Sequence, residues 1–159
     1  MKPEITYLEE KKLLGMRRRM SLADNQTVGL WQAFMSRRRE IKNAVSADLI
    51  SLQVYEPDYF DRFVPEKVFE KWALVEVSGF EDVPEGFETF TLPGGLYAVF
   101  KYKGAAADFR VFEYIFTEWL PASEYALDDR PHFEVLGEKY QRAEPDSEEE
   151  IWIPVRPKN

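Results

Sequence analysis

The sequence predicts an α+β fold. Two strand-helix-strand-strand modules, related by a pseudo-two-fold, form an antiparallel sheet with helices on one face and a ligand groove on the other. Three observations predict it. The order strand, helix, strand, strand occurs twice, at an offset of roughly 80 residues. The two amphipathic stretches align, LWQAFMSRRREI with FRVFEYIFTEWL. The composition is globular, with 45% hydrophobic and 31% charged residues in 159, enough to bury a core without disulfide staples. One domain is expected over residues 1–159, with halves at about 1–80 and 92–159.

Each element has its own signal. Leu13 to Leu22 (LLGMRRRMSL) reads as a strand with apolar ends around a charged middle. Asp24 and Asn25 offer caps for a helix in which Val28, Leu30, Trp31, Phe34 and Met35 recur at helical spacing, ending near Ile41. Ile50 to Tyr55 is β-rich and alternating, and Trp72 to Val77 is the next strand. Between them, Glu56-Pro57-Asp58 opens a loop carrying Tyr59, Phe60 and Phe63. Gly79 to Gly95 reads as a connector, because Pro84, Gly86, Pro93 and Gly94 punctuate it. Leu96 to Tyr102 then begins the second half as a strand. Gly104 to Asp108 is a small-residue turn with Asp108 as a cap. A stripe of Phe109, Phe112, Ile115, Phe116 and Trp119 forms the second helix, stopped by Pro121. Phe133 to Leu136 and Ile151 to Val155 are the last strands, joined by an acidic hairpin loop, Glu138 to Glu150.

Alternation sorts the strand residues by face. Leu52 and Val54, Ala73, Val75 and Val77, Phe133 and Val135, and Ile151, Ile153 and Val155 are expected against the helices. The other face then collects Gln53, Tyr55, Trp72, Trp152, His132, Glu134 and Glu150. A merely solvated face would carry Lys, Thr and Ser. Aromatics with carboxylates among them suit something apolar and cationic. Glu134 leads the candidates, since a mid-strand carboxyl walled by rings has its pKa raised by desolvation.

Net charge is −8, which speaks against direct nucleic-acid binding and favours cationic ligands. The runs Arg17-Arg18-Arg19 and Arg37-Arg38-Arg39 stand in no binding motif and read as solvated faces. The chain has no cysteine, which excludes disulfides, thiolate zinc sites and cysteine nucleophiles. Met1 to Glu10 lacks the apolar core of a signal peptide, and no stretch is apolar enough for a membrane span, so the expected compartment is the cytoplasm. His132 is the one histidine. Without a G-x-S-x-G elbow or metal-ligand spacing, triad, metal and haem chemistry have no support, and no cofactor is expected. Pro93-Gly94-Gly95 lacks the lysine of a phosphate loop. Carboxylate acid/base work by Glu134 with Tyr55 or Glu150 is the chemistry left.

These residues resemble the GyrI-like small-molecule-binding domains, the AraC-type effector-binding fold of tandem SHS2 modules. The resemblance is carried by Gly94-Gly95-Leu96-Tyr97-Ala98-Val99, Trp119, Ser123 and Tyr125, Arg130-Pro131-His132-Phe133-Glu134-Val135, and Glu150-Ile151-Trp152-Ile153-Pro154-Val155. It implies a groove for lipophilic, often cationic compounds, as in multidrug recognition, with Glu134 as the buried ligand carboxylate. Tyr55, Trp72, Trp152, Tyr97 and Glu150 are the further candidate ligand contacts. Leu136 stands where the family commonly has an aromatic. The expected function is therefore a stand-alone binder of hydrophobic or cationic small molecules. A hydrolase of cyclopropane-type electrophiles using Glu134, and a protein partner such as DNA gyrase, are the alternatives the resemblance implies.

Overall fold

The computed structural model describes residues 2–103, 110–137 and 148–158. Strands β1 (Glu4–Leu8) and β2 (Lys11–Ser21) lead into α1 (Thr27–Arg37) and a 3-10 turn, Arg38–Glu40. Then come β3 (Leu49–Val54), β4 (Val68–Glu76), β5 (Glu88–Leu92) and β6 (Gly95–Lys103). Helix α2 is α-helical over Arg110–Tyr114, π-helical over Ile115–Trp119, and ends in a turn at Leu120–Ala122. Strands β7 (Tyr125–Leu127), β8 (His132–Leu136) and β9 (Glu148–Pro157) complete the order. The expected cap at Asp108, Phe109, and residues 138–147 of the expected acidic loop lie outside the described residues.

The strands pair in the order β1-β6-β9-β8-β3-β4-β2-β5, with β7 added to β9, and every pairing is antiparallel. Exchanging β1 with β5, β6 with β2, β9 with β4 and β8 with β3 reverses this order onto itself. The repeat is thus written into the topology. Three strands were not expected from the sequence: β1, β5 and the three-residue β7. β1 falls in the polar N-terminus and β5 in the connector; both are five-residue edge strands that fully bury only their last side chain, in the same pattern. Each crosses to the other half, β1 onto β6 and β5 onto β2.

That exchange dictates the sheet's shape. β1 and β2 are six positions apart in the order, about 29 Å in a flat sheet at ~4.8 Å per strand. Yet only Glu9 and Glu10 join them, a link spanning roughly 10 Å at most. The sheet therefore rolls until its two edges meet. The crossing links touch there: a Cβ on Gly94 would lie 2.7 Å from the Leu8 carbonyl oxygen, so this position needs glycine.

Rolling encloses an apolar cluster of Leu8, Leu13, Leu52, Trp72, Leu92 and Phe133, joined by Ile50, Leu74, Tyr97 and Val99. The face opposite the helices is thus filled by its own sheet, not by an open groove. Outside, α1 lays Leu30 and Phe34 on Ala73, Val75 and Val77. α2 lays Val111 and Ile115 on Ala98, Ile151, Ile153 and Val155. Small and branched residues on β4 and β9 let the helices approach, and each large side chain buried there contributes about 1.5–3 kcal/mol.

The expected faces of β4 and β9 are the observed ones, and those of β3 and β8 are reversed. Leu52 stands opposite both Trp72 and Phe133, so the three share one face. Leu52, Val54, Phe133 and Val135 accordingly pack inside the roll. Among the described residues no helix is long and apolar enough to cross a membrane.

Candidate ligand site between the helices

β3 and β8 form the central pair, with Ser51 opposite Glu134 and Gln53 opposite His132. These four side chains face the helical side. The helices, however, cover the flanking strands, which leaves a polar strip between them. Ser51, Gln53 and His132 are buried there. Gln53 Nε2 donates to Glu134 Oε1 at 3.3 Å and to Ser51 Oγ at 3.4 Å. A neutral amide is thus the hydrogen-bond partner that steadies the carboxylate.

Rings wall the strip. Tyr55 meets Tyr59 at 4.5 Å, His132 edge-on at 5.0 Å and Phe69 at 5.3 Å between centroids. Phe60, on a 3-10 turn of the β3–β4 loop, stacks on Phe116 at 5.2 Å and on His132 at 5.3 Å. Phe116 comes from the π-helical stretch of α2, a local widening that is frequent at functional sites. Phe60 therefore joins the two halves across the strip, and it is 41% exposed.

Enclosure sets the electrostatics. Burial pushes the Glu134 carboxyl up, against the pull of the Lys71 ammonium and the Gln53 amide. Burial, then the Glu134 charge, holds the Tyr55 phenol far above its ordinary value. Burial, then the Arg130 charge, lowers His132 to about 3, so the imidazole is neutral at pH 7. Glu149 on β9 is raised to about 7 by burial and by Glu134, with Lys71 opposing. Glu149 also lines a cavity of about 380 Å³ with Asp48, Lys101, Tyr102 and Gly137. A smaller one, about 70 Å³, lies among Tyr55, Phe60, Asp128, Arg130 and His132. Among the described residues no three His, Asp or Glu side chains gather as metal ligands.

Of the residues expected in one groove, Glu134 and Tyr55 come together. Trp72, Tyr97 and Trp152 do not, because they pack in or against the cluster inside the rolled sheet. Their polar tips find local partners: Trp72 Nε1 donates to Glu70, Trp152 Nε1 to Glu150, and Tyr97 Oη to the Pro131 carbonyl. Glu150 stands opposite Val135, on the inner-cluster face. Gln53, His132, Tyr59, Phe60, Phe116, Lys71 and Glu149 were not among the expected ligand contacts. Two signals pointed at them: Ser51 and Gln53 interrupt an otherwise apolar strand, and Tyr59 with Phe60 makes the following loop aromatic.

The family of integron-associated effector binding proteins, Cass2, matches residues 4–155. SAV2435, solved bound to tetraphenylphosphonium, is similar in structure, with 18% identity, 98% of this chain and 94% of that chain covered, and a TM-score of 0.78. The integron cassette protein VCH_CASS2 of Vibrio cholerae is also 18% identical, over 98% of this chain and 97% of its own, with a TM-score of 0.66. A hydrolase encoded by lin2189 from Listeria innocua is 10% identical, with 98% and 92% covered and a TM-score of 0.61. At these identities the structures attest a shared fold. No curated protein matches the chain in sequence.

Proposed function

The chain belongs to the family of integron-associated effector binding proteins, and from that premise we propose that it binds a lipophilic cation at Glu134. The two halves, about 1–80 and 92–159, act as one binding unit. One observation carries the proposal: a carboxylate in a buried strip, beside the rings of Tyr55, Phe60, Phe116 and His132. A cation whose charge is spread over an apolar skeleton loses little hydration on entering. It gains ring faces and a negative charge in a low dielectric. A neutral ligand of the same shape gains only the rings. The tetraphenylphosphonium bound by SAV2435 has this chemistry.

Calorimetric titration with tetraphenylphosphonium is expected to saturate at one site. Glu134→Gln is expected to weaken it about tenfold, the loss of one charge contact of about 1.4 kcal/mol. An unchanged Kd in Glu134→Gln rules out the carboxylate as the cation's partner. Hydrolysis is a second candidate activity, favoured by the raised Glu134 carboxyl, since an acid poised nearer neutrality can donate a proton. Turnover of a strained cyclopropane electrophile, lost in Glu134→Gln, supports it; binding without turnover counts against it.

A further inference from the structure

Glu134 is not the sole carboxylate at the strip. Glu149 stands opposite Leu136, two residues along β8 from Glu134 and on the same face. Such diagonal neighbours lie about 7–8 Å apart at Cα. Lys71, opposite Gln53 on β4, interacts electrostatically with both acids. Glu149 thus links the Glu134 strip to the cavity of about 380 Å³, a volume suited to a small molecule.

We propose that Glu149 is a specificity-determining residue of this site, supplying a second carboxylate that, with Glu134, outnumbers the Lys71 ammonium, so that a bound monocation completes the charge balance and Lys71 is the built-in cation it competes with. The proposal rests on the binding function given above. It goes further by fixing the ligand's charge: one positive centre balances the cluster when both acids are ionised. With one acid protonated and Lys71 in place the cluster is already neutral, and a cation binds more weakly until that proton leaves to solvent.

Among the described residues, the other charged groups that line the cavity with Glu149 leave this count unchanged. They are Asp48, Glu150, Lys101 and Lys103, two of each sign, with the phenol of Tyr102. Along β8, His132, lowered to about 3, stays neutral throughout pH 6 to 8.5. Glu149 is the group poised near neutrality, at about 7.

Tetraphenylphosphonium keeps its charge at every pH, so any pH dependence of its binding belongs to the protein. Titrated calorimetrically between about pH 6 and pH 8.5, the full chain is expected to gain roughly five- to tenfold in affinity as pH rises. Glu149→Gln is expected to flatten that profile, binding like the parent at the acid end and about fivefold more weakly at the alkaline end. Lys71→Met reads the same charge count with Glu149 in place and, at the alkaline end where both acids are ionised, is expected to bind about fivefold more tightly. A Glu149→Gln profile that tracks the parent, or weaker binding by Lys71→Met, overturns the role of Glu149 while leaving Glu134 as the cation's partner. A parent chain that takes up no tetraphenylphosphonium at any pH removes both.

Discussion

Replacing Gly15 with alanine is expected to destabilise the protein by about 3 kcal/mol, a lower urea midpoint at unchanged m-value. Gly15 lies in β2, opposite Leu74 of β4 and Glu88 of β5. A Cβ there would run into the carbonyl oxygen and carbon of Ala73 and the Cα of Leu74. These are backbone atoms, and no rotamer change moves them aside. β4 would have to shift, taking Trp72 and Leu74 from the inner cluster and Ala73 and Val75 from beneath α1. The same substitution at Gly137, where the nearest atom among the described residues is Asp48 Oδ1 at 3.8 Å, is the control and is expected to stay within about 0.5 kcal/mol. A Gly15→Ala protein as stable as the control would show that β2 and β4 do not approach so closely.

That close approach also explains why part of the fold was readable and part was not. The helices, the inner strands and the repeat were legible, because Leu30 and Phe34, or Ala73, Val75 and Val77, keep one period and one face. β1 and β5 were not, since EITYL and ETFTL are short edge strands whose single buried anchor, Leu8 or Leu92, acts only once the sheet has rolled. Alternation also grouped Gln53, Tyr55, His132 and Glu134 correctly with one another. It failed in joining them to Trp72 and Trp152. In β3 and β8 both faces are covered, so the pattern gives two sets without saying which meets a helix. The polar set turned to the helical side, where the gap between the helices holds it. A rule that places polar residues away from helices fails where they line a site.

The same strip makes acid stability a test of the site. His132 is 5% exposed, packed against Phe60 and Tyr55. Its ordinary pKa is 6.5, and burial and Arg130 hold it to about 3 in the folded protein. Below 6.5 the unfolded chain takes a proton that the folded protein refuses. The contribution of a neutral His132 is therefore complete above pH 6.5 and drains as pH falls towards 3, up to about 5 kcal/mol. Glu149 works in the opposite sense. Raised from 4.5 to about 7, it binds a proton in the folded state that the unfolded chain lacks. Its contribution is complete below pH 4.5 and is lost as pH rises through 7, and Glu134 is displaced in the same direction. Between roughly pH 4.5 and 6.5 Glu149 offsets the imidazole and Glu134 adds to that offset, so the parent protein is expected to lose no stability there as pH drops, before its stability falls at lower pH. His132→Phe keeps a ring for Phe60 and Tyr55 and removes the titration. Urea unfolding of this variant is expected to show stability rising as pH drops from 7 to 5, with its advantage over the parent growing by about 3 kcal/mol or more by pH 4. Parallel pH profiles for the two proteins would mean that His132 takes its proton as easily folded as unfolded. In that case it would be a wet side chain, and the enclosure on which the proposed cation site at Glu134 depends would be lacking.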